Sequence, residues 1–142
     1  MPASHVTIID RSVEKANVWL GDVAEELGTD DRQYAYRVLR ATLHALRDRL
    51  SVDETAQLAA QLPELIRGFY YADWDPGRRP ERGSDARPFL DRVAAEGILH
   101  GDTEASFAVG AVMRVLRRHV SEGELADVLA ELPAPIRAVL EA

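Results

Sequence analysis

ALRDRLSVDETAQLAAQLPELIR (45–67) and VLRRHVSEGELADVLAELPAPIR (115–137) fall on one another without a gap when the chain is slid against itself by 70 residues. Internal repeats are sought first, because overlooking one misreads the whole fold. Extended to 34–70 against 104–140, twelve of 37 positions are identical, including Leu46/Leu116, Arg47/Arg117, Ser51/Ser121, Glu54/Glu124, Pro63/Pro133, Ile66/Ile136 and Arg67/Arg137. Further upstream, WLGDVAEE (19–26) meets FLDRVAAE (89–96) in the same register. A gapless match of that length, with Ser, Glu, Pro and Arg in place, reads as a duplication.

Each copy reads as helices. Val13, Ala16, Leu20, Val23 and Leu27 alternate spacings of three and four, one apolar stripe of an amphipathic helix. Asp10 is placed to cap its start and Gly28 to form its left-handed exit. A second helix opens at Asp30 with Gln33 as capping-box partner, and buries Ala35, Val38, Leu39, Thr42, Leu46 and Leu50. Ser51-x-x-Glu54 is a further capping box, repeated as Ser121-x-x-Glu124. A third helix over 52–61 stops before Pro63, since the residue preceding proline disfavours helical geometry. Pro63 then opens a fourth, where its missing N–H costs nothing; Leu65, Ile66 and Phe69 are its expected core residues. The second copy repeats the pattern near 87–96, 103–119, 122–131 and 133–141. Val6–Ile9 is the one β-like run, and its place at the terminus argues for irregular chain.

The expected fold is all-α: an internally duplicated pair of four-helix units, about eight helices, packed as one bundle-like domain with pseudo-twofold symmetry. The expected division is a flexible N-terminus (1–9), a first helical repeat (10–70), an aromatic and Arg-rich crossover (71–86) and a second helical repeat (87–142).

Composition narrows the class. The 142-residue chain has no cysteine, which removes disulfides, a thiol nucleophile and Cys-ligated metal. No apolar run approaches a membrane span, and MPASHVTIID (1–10) lacks a basic start and an apolar signal core, so a cytoplasmic protein is expected. A net charge of −7 argues against nucleic acid as a partner, because phosphate binding is dominated by positive charge. That charge is uneven: residues 31–92 hold ten acids against eleven arginines, whereas both flanks are acidic. Sixteen of the seventeen basic residues are Arg, and Ala is abundant, a bias that suggests a GC-rich bacterial genome.

The run LPELIRGFYYADWDP (62–76), preceded by the arginine-rich helix at 39–50, resembles the bacterial domain-of-unknown-function family 2267. The resemblance spans roughly 10–140 and is most specific in the aromatic segment after the first LPxxIR. It implies a small helical domain and assigns no catalytic or ligand residue.

Two constellations are candidate sites. The crossover places four of the nine aromatics within Phe69–Trp74, followed by four arginines. Connections longer than about 12 residues without their own secondary structure are often functional. Tyr70, Tyr71 and Trp74 could anchor a protein partner, with Arg78, Arg79 and Arg82 gripping its acidic groups. Against this, aromatics bury about 150–250 Å² each, so they also serve to pin a crossover onto the core. The second constellation is a polar stripe, Arg37, Arg40, His44 and Arg47, at helical spacings of 3, 4 and 3. It could meet acidic groups, or form an ordinary wet face opposite Val38, Thr42 and Leu46. Polar residues kept in both halves, Arg47/Arg117, Arg67/Arg137 and Glu54/Glu124, fit a structural role at helix junctions.

Catalytic signals are thin. His5, His44, His100 and His119 are scattered outside any metal-ligand spacing, and Asp73 and Asp75 suit a turn beside Pro76-Gly77 as well as a Mg²⁺ pair. No catalytic, metal or cofactor residue is assigned. The sequence reading is a protein of unknown function, foremost a non-enzymatic interaction module of adaptor or regulatory type. The alternative is a small-molecule sensor or carrier with an apolar ligand between the halves.

Overall fold

The computed structural model describes residues 4–142, and among them the chain forms eight helices and no strand. They are α1 (Thr7–Leu27), α2 (Arg32–Arg47), α3 (Val52–Ala59), α4 (Glu64–Tyr71), α5 (Ala86–Gly97), α6 (Asp102–His119), α7 (Glu122–Ala130) and α8 (Ala134–Glu141). The fold is therefore all-α, as the apolar periodicity predicts.

Helix boundaries follow capping chemistry with local corrections. Chain expected to be irregular is already helical at Thr7, because the Val6 carbonyl accepts from the amides of Ile9 and Asp10 at 2.9 and 3.1 Å. Once a helix is nucleated, each further residue adds a hydrogen bond, so Asp10 lies inside the first turn and does not cap it. Residues 1–3 of the N-terminal segment expected to be flexible lie outside the described residues. Asp31, and not Asp30, caps α2: its carboxylate accepts from the amides of Gln33 and Tyr34 at 3.0 Å each. Gly28 ends α1 in the left-handed region at φ 70°, as its place in the sequence predicts.

The two central helices, α2 and α6, are the most buried, and they organise the core. α2 makes its most extensive contact with α5, and α1 lies across both α2 and α6. α5 also packs on α6, α4 on α2, α8 on α6, and α3 meets α7. Leu39, Leu43, Leu46, Ile66, Tyr70, Phe89, Met113, Leu116, Ile136 and Leu140 fill the interior. Burying such side chains stabilises by about 1.5–3 kcal/mol each before entropy is counted.

The α3–α7 contact alters the reading of the capping boxes. Ser51 Oγ and Ser121 Oγ accept from the amides of Glu54 and Glu124, both at 3.2 Å, so the serine half of each box forms. The reciprocal bond comes from elsewhere. The Ser51 amide donates to Glu131 Oε1 at 2.7 Å, and the Ser121 amide donates to Gln61 Oε1 at 2.8 Å. Gln61 and Glu131 are themselves 70 residues apart, so the end of α3 caps α7 and the end of α7 caps α3. Glu54 and Glu124, released from capping, are buried instead.

Candidate interaction site

The end of α4 is where the polar stripe and the aromatic run meet. A helix leaves its last carbonyls without intrahelical partners, and burial there requires other donors. His44 and Arg47 supply them. His44 Nε2 donates to the Phe69 carbonyl at 2.6 Å, and Arg47 Nη1 donates to the carbonyls of Tyr70 and Ala72 at 2.7 and 2.8 Å. The other His44 nitrogen, Nδ1, meets Glu96 Oε2 of α5 at 2.7 Å. Arg47 completes its fork with Asp48 through Nε and Nη2. Asp48 also binds Arg92 of α5 at 2.6 Å, and Arg92 reaches Glu81 of the crossover at 3.1 Å. Burial alone would raise the Asp48 carboxyl, but the hydrogen bonds from Arg47 and Arg92 hold it below the usual carboxylate range.

This network places the C-terminal half of the stripe on the inside of the molecule. His44 and Arg47 are buried, and Arg37 and Arg40 half-buried. Arg37 Nε donates to the Gly97 carbonyl at 3.2 Å, and Arg40 lies 3.8 Å from Asp73. A wet face does not describe His44 and Arg47, which the end of α4 and α5 cover, whereas Arg37 and Arg40 stay partly open. Spacing shows which residues share a helix face, but not which helix will cover that face.

The aromatic candidates separate. Tyr70 is fully buried and its hydroxyl donates to the Thr55 carbonyl at 3.0 Å, so it belongs to the core and presents nothing to a partner. Burial also pushes its hydroxyl pKa up. Tyr71 and Trp74 are half-buried, with ring centroids 5.1 Å apart. Beyond them the chain is tied at two further points: the Glu81 amide donates to the Asp48 carbonyl at 2.7 Å, and Arg49 Nη1 to the Gly83 carbonyl at 3.1 Å. Arg78 and Arg79 stand exposed between Trp74 and the first of these ties, and Arg82, exposed as well, lies between the two. Among the described residues none of the three has an acidic partner within ion-pair distance. Trp74, Arg78 and Arg79 border the half-exposed Val52, with space for little more than one water beneath them.

Of the repeated polar residues, Arg67 donates to the carbonyls of Ala59 and Leu62 at 2.8 and 2.9 Å, and Arg137 donates to that of Leu132. These bind helix ends, as does Arg47. Arg117 is exposed and makes no such bond, so that pair is not equivalent. Sequence reasoning missed the network of Asp48, Arg92 and Glu81, since nothing in their spacing joins them. It also missed an open groove of about 410 Å³ where α1 meets the end of α6, lined by Lys15, Val18, Trp19, Pro63 and His119. The His119 ring stacks on Trp19 with centroids 4.7 Å apart and is held by Asp22 at 2.8 Å. No group of three or more metal-ligating side chains occurs among the described residues. None of the described helices is long and apolar enough to cross a membrane.

An eight-helix domain with reciprocal caps at α3 and α7 and an arginine-bearing crossover is the class of protein this architecture defines. The family model described as uncharacterized conserved protein (DUF2267) matches residues 16–139, and the chain belongs to that family. No curated protein matches the chain.

Proposed function

We propose that the chain is a non-enzymatic interaction module whose binding surface is the tip of the crossover: Trp74, Arg78 and Arg79, with Val52 beside them. The observation that carries this reading is a pair of exposed, unpaired arginines beside a half-buried tryptophan, on a segment anchored at both ends. Tryptophan and arginine dominate binding energy at protein interfaces, and anchoring reduces the ordering entropy that binding must overcome. Two guanidiniums on a protein of net charge −7 favour an acidic segment as the partner. The Tyr71 ring packs beside that of Trp74. The same segment was the natural candidate from composition, and the removal of Tyr70 to the core reduces the surface without abolishing it.

The test is co-purification of the tagged chain from a bacterial lysate, beside an Arg78→Glu/Arg79→Glu variant and Trp74→Ala. Each variant should keep its helicity by circular dichroism. Any partner held by the natural chain should be lost from both, with affinity reduced at least about tenfold, or ~1.4 kcal/mol. A partner retained equally by all three would place the interaction elsewhere and defeat this reading.

A further inference from the structure

Among the described residues Arg49 differs from the other buried cationic side chains, His44 and Arg47. It is 7% exposed, and its guanidinium makes one hydrogen bond, from Nη1 to the Gly83 carbonyl at 3.1 Å. Its Nε is buried without a partner, and among the described residues no carboxylate stands within ion-pair distance. Arg47, equally buried, satisfies its fork with Asp48 and two carbonyls. A guanidinium does not lose its proton in a protein, and an uncompensated buried charge is costly. The Phe89 ring, 5.9 Å from the Arg49 guanidinium carbon, is the only cation–π contact it has, and it supplies no counter-charge.

The side chain lines a groove of about 470 Å³ between the crossover and the corner joining α7 to α8. Arg82 and Ser84, both exposed, stand on the crossover side; Leu132 and Pro133 form an apolar wall opposite. Two acids also line it, and both are engaged. Glu131 accepts from the Ser51 amide and hydroxyl with its two oxygens, and Glu81 pairs with Arg92. Neither Arg49 nor Arg82 has a carboxylate within ion-pair distance among the described residues, although Glu131, bonded to the neutral Ser51 amide and hydroxyl, keeps its charge at the wall of the groove.

We propose that this groove is a carboxylate-binding site, with Arg49 as its buried guanidinium and Arg82 at its rim. A planar carboxylate matches the two-bond fork of a guanidinium. The neighbouring Glu81 and Glu131 oppose a dianion such as phosphate more than a monoanion, and the Leu132–Pro133 wall suits a short apolar group attached to the acid. The site lies apart from the Trp74, Arg78 and Arg79 surface; because Arg49 also ties the crossover at Gly83, Arg82→Gln, which leaves that tie in place, tells the failure of one from the failure of the other.

The melting temperature of the intact chain is measured in sodium butyrate, sodium phosphate and sodium chloride at equal ionic strength, for the natural chain, Arg49→Met and Arg82→Gln. A ligand that binds only the folded state raises its stability. Butyrate is expected to raise the melting temperature above that in chloride, and phosphate, which stabilises folded proteins by exclusion from their surface, is compared through the difference between the natural chain and Arg49→Met. The butyrate shift should vanish in Arg49→Met and shrink in Arg82→Gln. Arg49→Met without butyrate is expected to melt no lower than the natural chain, whereas a purely structural arginine would leave a less stable protein when removed. If Arg49→Met does not fold, Arg49 is structural and the proposal falls for that residue, and the Arg82→Gln response decides whether the groove binds at all. A natural chain that responds to butyrate no more than to chloride, a phosphate response that depends on Arg49 more than the butyrate response does, or an unchanged butyrate response in Arg82→Gln overturns the proposal. A peptide ending in leucine, as free acid and as amide, separates the sources. A response to the acid and not the amide assigns the carboxylate to a chain end; a response to butyrate with neither peptide assigns it to a free organic acid.

Discussion

Glu54 and Glu124 sit on α3 and α7, which pack against each other, and one carboxyl oxygen of each is buried without a partner. Burial, and then the neighbouring Glu124, push the Glu54 carboxyl up to about 8 from its ordinary 4.5, with Glu131 and Asp127 adding to the effect. Between those values the folded chain holds a proton that the unfolded chain releases. Stability therefore falls as pH rises from about 4.5 towards 8 and levels off above it. Glu54→Gln is expected to flatten that slope and to stabilise the protein at pH 9 by at least ~1 kcal/mol, about the worth of one pKa unit. Thermal melts of both proteins between pH 5 and 9 check this, and a slope unchanged in the variant would refute it. The sequence shows both glutamates as the closing residues of capping boxes. Their spacing from Ser51 and Ser121 is right for that role, and only the approach of α7 to α3 reassigns them.

Among the elements, the ends of α1 and α5 make an instructive pair, because Gly28 and Ile98 occupy matching places 70 residues apart. Both adopt left-handed geometry, at φ 70° and φ 57°. Glycine does so freely, whereas a β-branched side chain crowds its own backbone at a cost of roughly 1–2 kcal/mol. Ile98 is 69% exposed, so its side chain returns little by burial. Ile98→Gly is expected to raise stability by about 1 kcal/mol in denaturant unfolding; a loss of stability would show that the isoleucine packs better than its exposure suggests. The helices themselves are readable from periodicity, and their starts to within a few residues from Asp, Ser and Pro. The placement of the arginine stripe is not. Arg37, Arg40, His44 and Arg47 lie along one side of α2, and its C-terminal half becomes interior because α4 and α5 close over it.

For the whole molecule, the α2–α5 and α1–α6 contacts mean that the first four helices and the last four each bury a large part of their apolar surface only against the other. Residues 86–142 expressed alone should show little helix by circular dichroism and recover it when mixed with residues 1–85. A fragment that folds cooperatively by itself would contradict this. The match between 34–70 and 104–140 is visible from identities alone, and so are the helical character and the family resemblance, because periodicity, caps and prolines act over a few residues. The reciprocal bonds of Gln61 and Glu131, the withdrawal of Tyr70, His44 and Arg47 into the interior, and the burial of Arg49 without an ion-pair partner among the described residues were decided by tertiary structure. Each depends on which surfaces come to exclude water from one another, and that is a property of helices distant in the chain that local spacing does not encode.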